Sequence, residues 1–418
     1  MSGTLPKRSS PKASIITATS TTVTANAATR KTVNAATTKK VVAATTKNKA
    51  VKTAVVILNW NTKDYLAKFL PGLIASMPEG AEVVVADSAS TDGSMAMLSA
   101  RFPSVKQIRL DRNYGFTGGY NRAFKELCSM DEAAGMEYFV LINSDVEVSP
   151  GWLEPLVDWM DRHPDCAACG PKIRSYSARE NFEYAGAAGG LLDRFGYPFC
   201  RGRVLKRVEK DLGQYDSPAD VFWVSGACML VRKEGFLRMG GFDDRFFAHM
   251  EEIDLCWRLR LEGMRICIVP ESTVFHIGGG TLPEDSPWKL KLNYRNNLLM
   301  LENNLARTYS LSEIRELVPE KAAPKACRRA RWTIFLRMCL DRCSALVYLL
   351  KREKASYKAV AEAHKEFRSL RRGIKVSDIQ EYASTHRRIS IPSLFPEWIV
   401  PLAFTKGNGI FEYLRKRI

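Results

Sequence analysis

Four short apolar runs, each closed by a polar cluster and separated from the next by a helical pattern, limit what this chain can fold into more than any other feature. Ala54 to Leu58 is an unbroken apolar run, as a strand buried on both faces requires. From about Lys63 to Ala75, Leu66, Phe69, Leu70 and Leu73 recur on one helical face. Glu82 to Ala86 repeats the strand pattern and ends in Asp87, with a helix starting near Ser94. Val105 to Leu110 precedes a helix from Thr117 to Ser129, and Tyr138 to Asn143 runs into the string NSDVE. This alternation predicts an α/β fold, a mostly parallel sheet flanked by helices.

In such sheets ligands bind beyond the carboxyl ends of the strands. Every polar cluster sits there: Asn59 and Asn61, then Asp87 and Asp92, then Arg112 to Asn121, then Asp145 and Glu147. One strand-end Asp is an ordinary turn or cap residue; four successive strand ends of this kind predict a site. The loop RNYGFTGGYN, with Gly115, Gly118 and Gly119 ahead of a helix, is expected to let backbone amides approach a phosphate or sugar. Asn59, Asp87, Asp92, Arg112, Gly118, Asn121 and Asn143 form the expected ligand-contacting set. Neither GxGxxG nor Gly-Lys-Ser/Thr follows a strand, which removes support from dinucleotide oxidoreduction and NTP hydrolysis. Asp145 and Glu147, alternate residues past a strand, offer hard oxygens for Mg²⁺ or Mn²⁺ beside a diphosphate.

The net charge of +17 hides an uneven distribution. Residues 1–63 carry eleven Lys or Arg and no acid, and residues 306–418 carry 24 basic against 11 acidic side chains, which leaves residues 64–305 at −7. A nucleic-acid enzyme concentrates positive charge at its cleft; an acidic core that holds a phosphorylated ligand needs a cation. Residues 1–52, rich in Thr, Ala, Ser and Lys, have too few apolar side chains to offset the entropy of ordering and are expected to be a disordered basic tail. A transit peptide is the competing reading of that tail, with weak Arg spacing for it. No run of eighteen apolar residues occurs, so no spanning helix is expected. Of ten Cys only Cys166 and Cys169 are closely paired, without a second pair for zinc; reduced buried thiols of a cytoplasmic protein are expected.

A second dense region is GGFDDRFFAHMEEIDLCWRLR. Gly240 and Gly241 stop one helix, and Glu251, Glu252 and Asp254 open another, where acids suit the positive end of the dipole. Leu255, Trp257 and Leu259 are expected to bury that helix while Arg258 and Arg260 point elsewhere, presenting a rigid acidic edge fit for a general base. His276, before three glycines, is a diphosphate or metal contact or else a structural hydrogen-bonder. Trp223 and Gly226 are expected on the floor of an acceptor pocket, with core packing as the alternative for Trp223.

Taken in order, VVILNWN, DSASTDGS, RNYGFTGGYN, FVLINSDVEVSPGWL and GGFDDRFFAHMEEIDLCWRLRLEGMRI resemble the motifs of family-two glycosyltransferases of the GT-A fold, particularly the rhamnosyltransferase-like bacterial branch. The resemblance covers about Val55 to Asn304. It implies inverting transfer from a nucleoside-diphosphate sugar, UDP- or dTDP-linked, with dTDP-rhamnose among the candidates. Asp87 would contact the nucleoside and Asp92 support that loop; Asp145 would hold Mg²⁺ or Mn²⁺, and Glu252 would be the base. The family more often has Asn at Ser88 and Asp at Glu252, so the choice between Glu251 and Glu252 stays open.

Three domains are expected: 1–52, a GT-A domain 53–305, and a basic amphipathic helical region 306–418. In the last, RRARWTIFLRMCLDR is too charged to span a bilayer but suited to lying on an anionic one, or else to packing as a hairpin with a solvated basic face. The expected partners are the nucleotide-sugar donor, a cell-surface glycan or lipid-linked acceptor, and a membrane surface, without nucleic acid. The expected location is cytoplasmic, at the inner face of the plasma membrane. The competitors are a sugar-1-phosphate nucleotidyltransferase, which needs a Gly-rich, Arg/Lys-bearing loop where NWNTKDYL stands, and a non-catalytic scaffold, against which Asp87, Asp145 and Glu252 count.

Overall fold

The computed structural model describes residues 51–278, 286–386, 389 and 393–418; all but the last two residues of the expected tail, and Gly279 and Gly280, lie outside them. The first half follows the alternation. Strand β1 (Thr53–Asn59), helix α1 (Lys63–Ala75), β2 (Ala81–Asp87), α2 (Ser94–Arg101), β3 (Lys106–Arg109), α3 (Gly115–Cys128) and β4 (Tyr138–Ile142) come in that order. β3, β2, β1 and β4 lie side by side, all parallel. Val55, Val56, Val84, Val85, Val140 and Leu141 are completely buried, as β-branched and aliphatic residues are between two layers. The register ties Asn59 to Asp87 and Ile57 to Ile142, so the polar ends of β1, β2 and β4 leave the sheet along one edge.

Beyond β4 the sheet becomes mixed. After β5 (Val146–Val148), α4 (Leu153–Arg162) and β6 (Cys166–Ser175) comes a small antiparallel sheet of β7 (Gly190–Leu192), β8 (Pro198–Cys200), β9 (Arg203–Val204) and β10 (Arg207–Val208). The chain returns through β11 (Ala219–Asp220) and β12 (Cys228–Arg232), which inserts antiparallel between β4 and β6. Helices α5 (Lys233–Arg238) and α6 (Glu251–Leu261) lead to β13 (Arg265–His276), parallel to β6. Sequence alternation alone did not foresee the antiparallel insertion; β12 lies between two strands from earlier in the chain, a placement set by tertiary packing.

One side of the sheet packs α1, α2 and α4 through Leu66, Leu70, Leu98, Leu156 and Met160. The other packs α3, α6 and the helices that follow through Phe124, Trp257, Leu299 and Leu305. Phe124 stacks on Phe139 at 4.2 Å, an offset pairing that aromatic quadrupoles favour. Helix α7 (Pro287–Glu313) runs unbroken through residues 305 and 306, where the sequence suggested a boundary. It packs on α8 (Pro319–Leu350) and α9 (Lys354–Leu370), with α10 (Val376–Thr385) against α8. α11 (Ile399–Lys406) and α12 (Ile410–Arg415) close a separate core with Phe199 and Val204 of the small sheet.

Candidate active site

At the edge of the parallel strands the side chains hydrogen-bond to one another. Asn59, fully buried, has its Nδ2 within 2.6 Å of Asp87 Oδ1, 3.0 Å of Ser90 Oγ and 2.9 Å of Ser94 Oγ, while its Oδ1 accepts from Thr62 Oγ1 at 2.6 Å. Asn59 is therefore the hub that orients Asp87, not a free contact. Asp87 accepts from Asn59 and, at 3.0 Å, from the Ser90 amide, which leaves acceptor capacity on both oxygens for an incoming hydroxyl or ring N–H. Asp92 accepts from the Lys63 and Ser94 amides at 2.8 and 3.0 Å, tying the first turns of α1 and α2 together. Although burial opposes it, hydrogen bonds from Ser94 and Lys63 hold the Asp92 carboxyl below its ordinary range.

The third strand end corrects the sequence reading. Gly115, Gly118 and Gly119 lie inside α3, not in a loop before it. A Cβ on Gly119 would come within 2.6 Å of Leu58, one on Gly118 within 2.9 Å of Tyr114, and one on Gly115 within 2.5 Å of the Phe247 carbonyl. The glycines serve close helix packing, and the Thr117 amide donates to Phe247 O at 3.1 Å. Asn121 is likewise occupied: it donates to Phe242 O and Asp244 at 2.9 and 2.7 Å and accepts from the Phe242 amide, clamping the Gly241 turn. Arg112 is exposed, its guanidinium 4.7 Å from the Tyr114 ring centre.

Strand pairing joins residues far apart in sequence. β5 pairs antiparallel with the end of β13, Val146 opposite His276, and this brings Asp145 beside the imidazole. His276 Nε2 lies 3.2 Å from Asp145 Oδ1 and its Nδ1 3.5 Å from Glu183 Oε1, all three groups being buried. Burial alone would lower the imidazole pKa, but the Asp145 and Glu183 carboxylates outweigh it and push it up to about 10. Asn143 Nδ2 is 3.4 Å from the same Nε2. Glu147 does not join them: opposite Phe275 in the ladder, it pairs with Arg179 at 2.7 Å. Among the described residues no three His, Cys, Asp or Glu side chains converge on one point.

A divalent cation fits the Asp145–His276 pair on its donor chemistry. Asp145 supplies a hard oxygen; His276, protonated while it faces two carboxylates, would give up its Nε2 proton to a bound cation and offer that lone pair, with Nδ1 toward Glu183, the carboxylate–histidine–metal arrangement. Diphosphate oxygens and water would complete the shell, as is usual for Mg²⁺ and Mn²⁺. The sequence reading missed Glu183; nothing in EYAGAAGG marks it until β13 is laid beside β6.

The Asn143 amide donates to Ala227 O at 3.0 Å, placing Gly226 next to the strand ends. A Cβ at Gly226 would lie 3.2 Å from Phe116 and 3.8 Å from Glu252 Cβ, so Gly226 keeps space beside Glu252. Trp223 instead belongs to the core: 2% exposed, it donates Nε1 to Leu191 O at 3.0 Å and covers Gly190. Its apolar bulk outweighs any pocket role.

The three acids of α6 differ sharply. Asp254 is fully buried and saturated, accepting from Arg258 Nε at 2.8 Å, Asn303 at 2.9 Å and Asn304 at 2.8 Å. Arg258 therefore does not point elsewhere, as its sequence position suggested; it also donates to Met239 O and Gly241 O, fastening α6 to the preceding turn. Arg260 similarly donates to Val221 O. Glu251 is 4% exposed, and burial, then the neighbouring Glu252 charge, hold its carboxyl well above the usual range. Glu252 stays partly exposed, and burial pushes it from 4.5 up to about 7. Each of these two carboxyls has an Oε2 without a hydrogen-bond partner. The positive end of the helix dipole favours the ionised form of Glu252, but desolvation outweighs it.

The turn before α6 is strained. Phe247, His249 and Met250 have φ of 64°, 71° and 70°, a region costly for residues with a Cβ. α7 holds it: Asn296 Nδ2 lies within 2.9 Å of Phe246 O, 2.7 Å of Ala248 O and 2.8 Å of His249 O, and Arg295 Nη2 donates to Phe246 O at 2.8 Å. These helpers were also missed, although Asn296-Asn297 and Asn303-Asn304 recur seven residues apart, a spacing that places both pairs on one helical face.

The model for "Glycosyl transferase family 2" matches residues 54–238. The N-acetylglucosaminyl-diphospho-decaprenol L-rhamnosyltransferase of Mycobacterium tuberculosis is 30% identical over 257 residues, 59% of this chain and 83% of the relative. Rhamnosyltransferase WbbL of Escherichia coli is 25% identical over 224 residues, 53% of this chain and 82% of that protein. A solved structure of GalNAc-T7 with UDP, GalNAc and Mn²⁺ aligns over 64% of this chain and 51% of its own, at 17% identity and a TM-score of 0.47.

Proposed function

Because this chain belongs to glycosyl transferase family 2 and folds as an α/β protein of the GT-A type, we propose that it is an inverting glycosyltransferase that moves a sugar, dTDP-rhamnose being the first donor to test, onto a hydroxyl of a lipid-linked glycan precursor. The donor and acceptor classes draw on the names of the mycobacterial and Escherichia coli relatives. The observation that carries the reaction type is Glu252, the acid of the first α6 turn that keeps an open surface, beside Gly226, with its pKa near 7.

An acceptor hydroxyl is a poor nucleophile until its proton is removed. Glu252, ionised, takes that proton as the oxygen attacks the anomeric carbon from the face opposite the diphosphate. The C–O bond to the diphosphate breaks, the configuration inverts, and the electron pair leaves with the phosphate oxygen. A base whose pKa matches the working pH contributes roughly 10²- to 10⁴-fold. Glu251 is buried next to it in sequence, and burial with the Glu252 charge holds its carboxyl well above the usual range, which disfavours a second negative charge beside the incoming sugar. Asp87, oriented by Asn59, receives the nucleoside, and Asp145 with His276 would hold Mg²⁺ or Mn²⁺ beside the diphosphate. The cation supplies charge stabilisation for the leaving group. Asp254, with no oxygen spare, positions the helix. A lipid-linked acceptor places the enzyme at a membrane surface, and among the described residues no helix is long and apolar enough to cross one.

Thermal shift with dTDP, UDP and GDP, each with Mn²⁺ or with EDTA, followed by transfer assays with the matching sugars, tests this reading. A ligand at a hundred times its Kd adds about 2.7 kcal/mol of stability. If no nucleotide stabilises the chain in the presence of Mn²⁺, the donor class is wrong.

A further inference from the structure

Helix α8 buries two charged side chains in its second half and leaves several large apolar ones outside, against the ordinary pattern of a surface helix. Between Trp332 and Leu350 the sequence has three charged residues, Arg337, Asp341 and Arg342. The first two face inward. Arg337 Nε donates to Asp341 Oδ1 at 2.8 Å and Arg337 Nη1 to Asn297 of α7 at 2.6 Å, while His364 of α9 lies 3.2 Å from Asp341 Oδ2. This buried pair fixes the rotation of α8 about its axis, the registry role best attested for buried ions. The face left outside carries Trp332 (59% exposed), Phe335 (49%), Leu346 (56%) and Leu350 (84%), with Val347 and Leu349 between them. Six of the sixteen exposed large apolar side chains among the described residues thus fall within nineteen residues of one helix, in two groups about 16 Å apart along it, Trp332 with Phe335 and Leu346 to Leu350. Scattered exposed apolars need no explanation; two clusters of them on one helix do.

The polar frame of these clusters has one sign. From Lys321 to Arg352 the chain contains a single acid, the inward-facing Asp341. Lys325, Arg328 and Arg331 at one end, Arg342 in the middle and Lys351 and Arg352 at the other end are all exposed. Beside Trp332 opens a cavity of about 600 Å³ lined by Lys325, Arg328, Arg329 and Arg331, with Glu313 at its wall. Glu313 pairs with Lys325 at 2.6 Å and Arg329 at 3.9 Å. Trp332 and Phe335 stack at 5.3 Å next to that cavity.

We propose that this outward face of α8 is a bilayer-docking surface for an anionic leaflet, with Trp332, Phe335, Leu346 and Leu350 seated among the acyl-chain boundary and the basic cavity taking lipid headgroup phosphates. Aromatic and aliphatic side chains framed by Lys and Arg suit the lipid interface, where both the hydrophobic term and the leaflet's negative potential act in the same direction. A second copy of the chain would bring like charges into contact around the same clusters, which argues against self-association. The surface deepens the reading of a lipid-linked acceptor, yet vesicle binding requires no sugar transfer, so either can fail alone.

The test is co-sedimentation of the full chain with phosphatidylcholine vesicles containing about a quarter phosphatidylglycerol, and with phosphatidylcholine alone. The full chain pellets with the anionic vesicles and is released as salt approaches about 1 M. Trp332→Ala with Phe335→Ala lowers partitioning by roughly tenfold, and Arg328→Gln with Arg342→Gln removes the preference for anionic lipid. Both pairs are exposed, so their unfolding midpoints should match the parent's, which separates lost docking from lost fold. Equal pelleting of the parent and both variants overturns the proposal and assigns binding elsewhere, such as the basic first fifty residues. So does a parent dimer in sedimentation velocity that Trp332→Ala with Phe335→Ala converts to monomer.

Discussion

The donor edge and the first turn of α6 hold carboxylates in opposite ways. Around Asn59 the groups are satisfied by neighbours: Asp87, Ser90, Ser94 and Thr62 all lie within hydrogen-bond reach of that amide. On α6, Glu251 and Glu252 each keep a buried oxygen without a partner, and both carboxyls are pushed upward. A network tied together in this way preorganises binding while leaving Asp87 room to accept, and its members cannot be removed without loosening the fold. An unsatisfied carboxylate is poised to take a proton and is costly to keep. Removing a donor-edge group should move affinity and stability together; removing the base should move turnover while leaving nucleotide affinity in place.

The largest effect is expected for Glu252→Gln, which preserves shape and removes basicity. Turnover should fall roughly 10²- to 10⁴-fold while nucleotide affinity, read by calorimetry, stays nearly unchanged. Glu251→Gln should be much milder; a dead Glu251→Gln beside an active Glu252→Gln would move the base to the other carboxyl. Next comes Asp254→Ala, which leaves Arg258 without its buried partner. It should destabilise by about 3 kcal/mol in urea unfolding, more than any base variant. A change under about 1 kcal/mol would mean that Asp254 is not the anchor of α6.

How far the sequence carried differs between these two regions. Strands β1, β2 and β4 and the limits of α1 were legible because a strand buried on both faces must be continuously apolar and α1 shows its period openly. The acidic opening of α6 was legible from the dipole and the Gly240–Gly241 stop. Three things were not. The glycines of α3 read as a phosphate loop because a helix packed tightly on Leu58 and a loop open to ligand demand the same residue. Arg258 read as pointing elsewhere because an i,i+4 pair with Asp254 says nothing about which side of the helix is covered. Glu183 was invisible because its relation to His276 depends on the pairing of β13 with β5 and β6.

Smaller effects sharpen the comparison. Asp145→Ala should abolish the Mn²⁺-dependent part of nucleotide binding in calorimetry, and His276→Ala should weaken it by roughly 10- to 100-fold. Affinity that survives both EDTA and Asp145→Ala would take the cation out of the donor site. Asn59→Ala should lower stability by about 1–3 kcal/mol and weaken nucleotide binding in the same variant. If stability falls and affinity does not, the hub is structural only.

The smallest expected effect is a pH dependence. The folded pKa of Glu252, about 7, lies above its ordinary 4.5, so the fold favours the protonated form. That contribution is fully present below 4.5 and is lost as pH rises through 7. Glu252→Gln should therefore be more thermally stable than the parent at pH 8 and equal to it near pH 4, and kcat/KM of the parent should rise with a midpoint near pH 7. A parent no less stable than the variant at pH 8 would show that the carboxylate is not desolvated in solution.

The grip of α7 on the strained turn bears on what can be inherited separately. One rod of 27 residues touches the turn ahead of the base through Arg295 and Asn296, reaches Arg337 of α8 through Asn297, and holds Asp254 through Asn303 and Asn304. The family model ends at residue 238, before any of these contacts begin. A gene fusion or recombination event joining the chain through β13 to a foreign tail would transmit the nucleotide edge and leave the proposed proton acceptor without its frame. The smallest heritable unit that carries the whole reaction thus extends into the C-terminal helices, and a crossover point that respects the chemistry falls after α7, not before it.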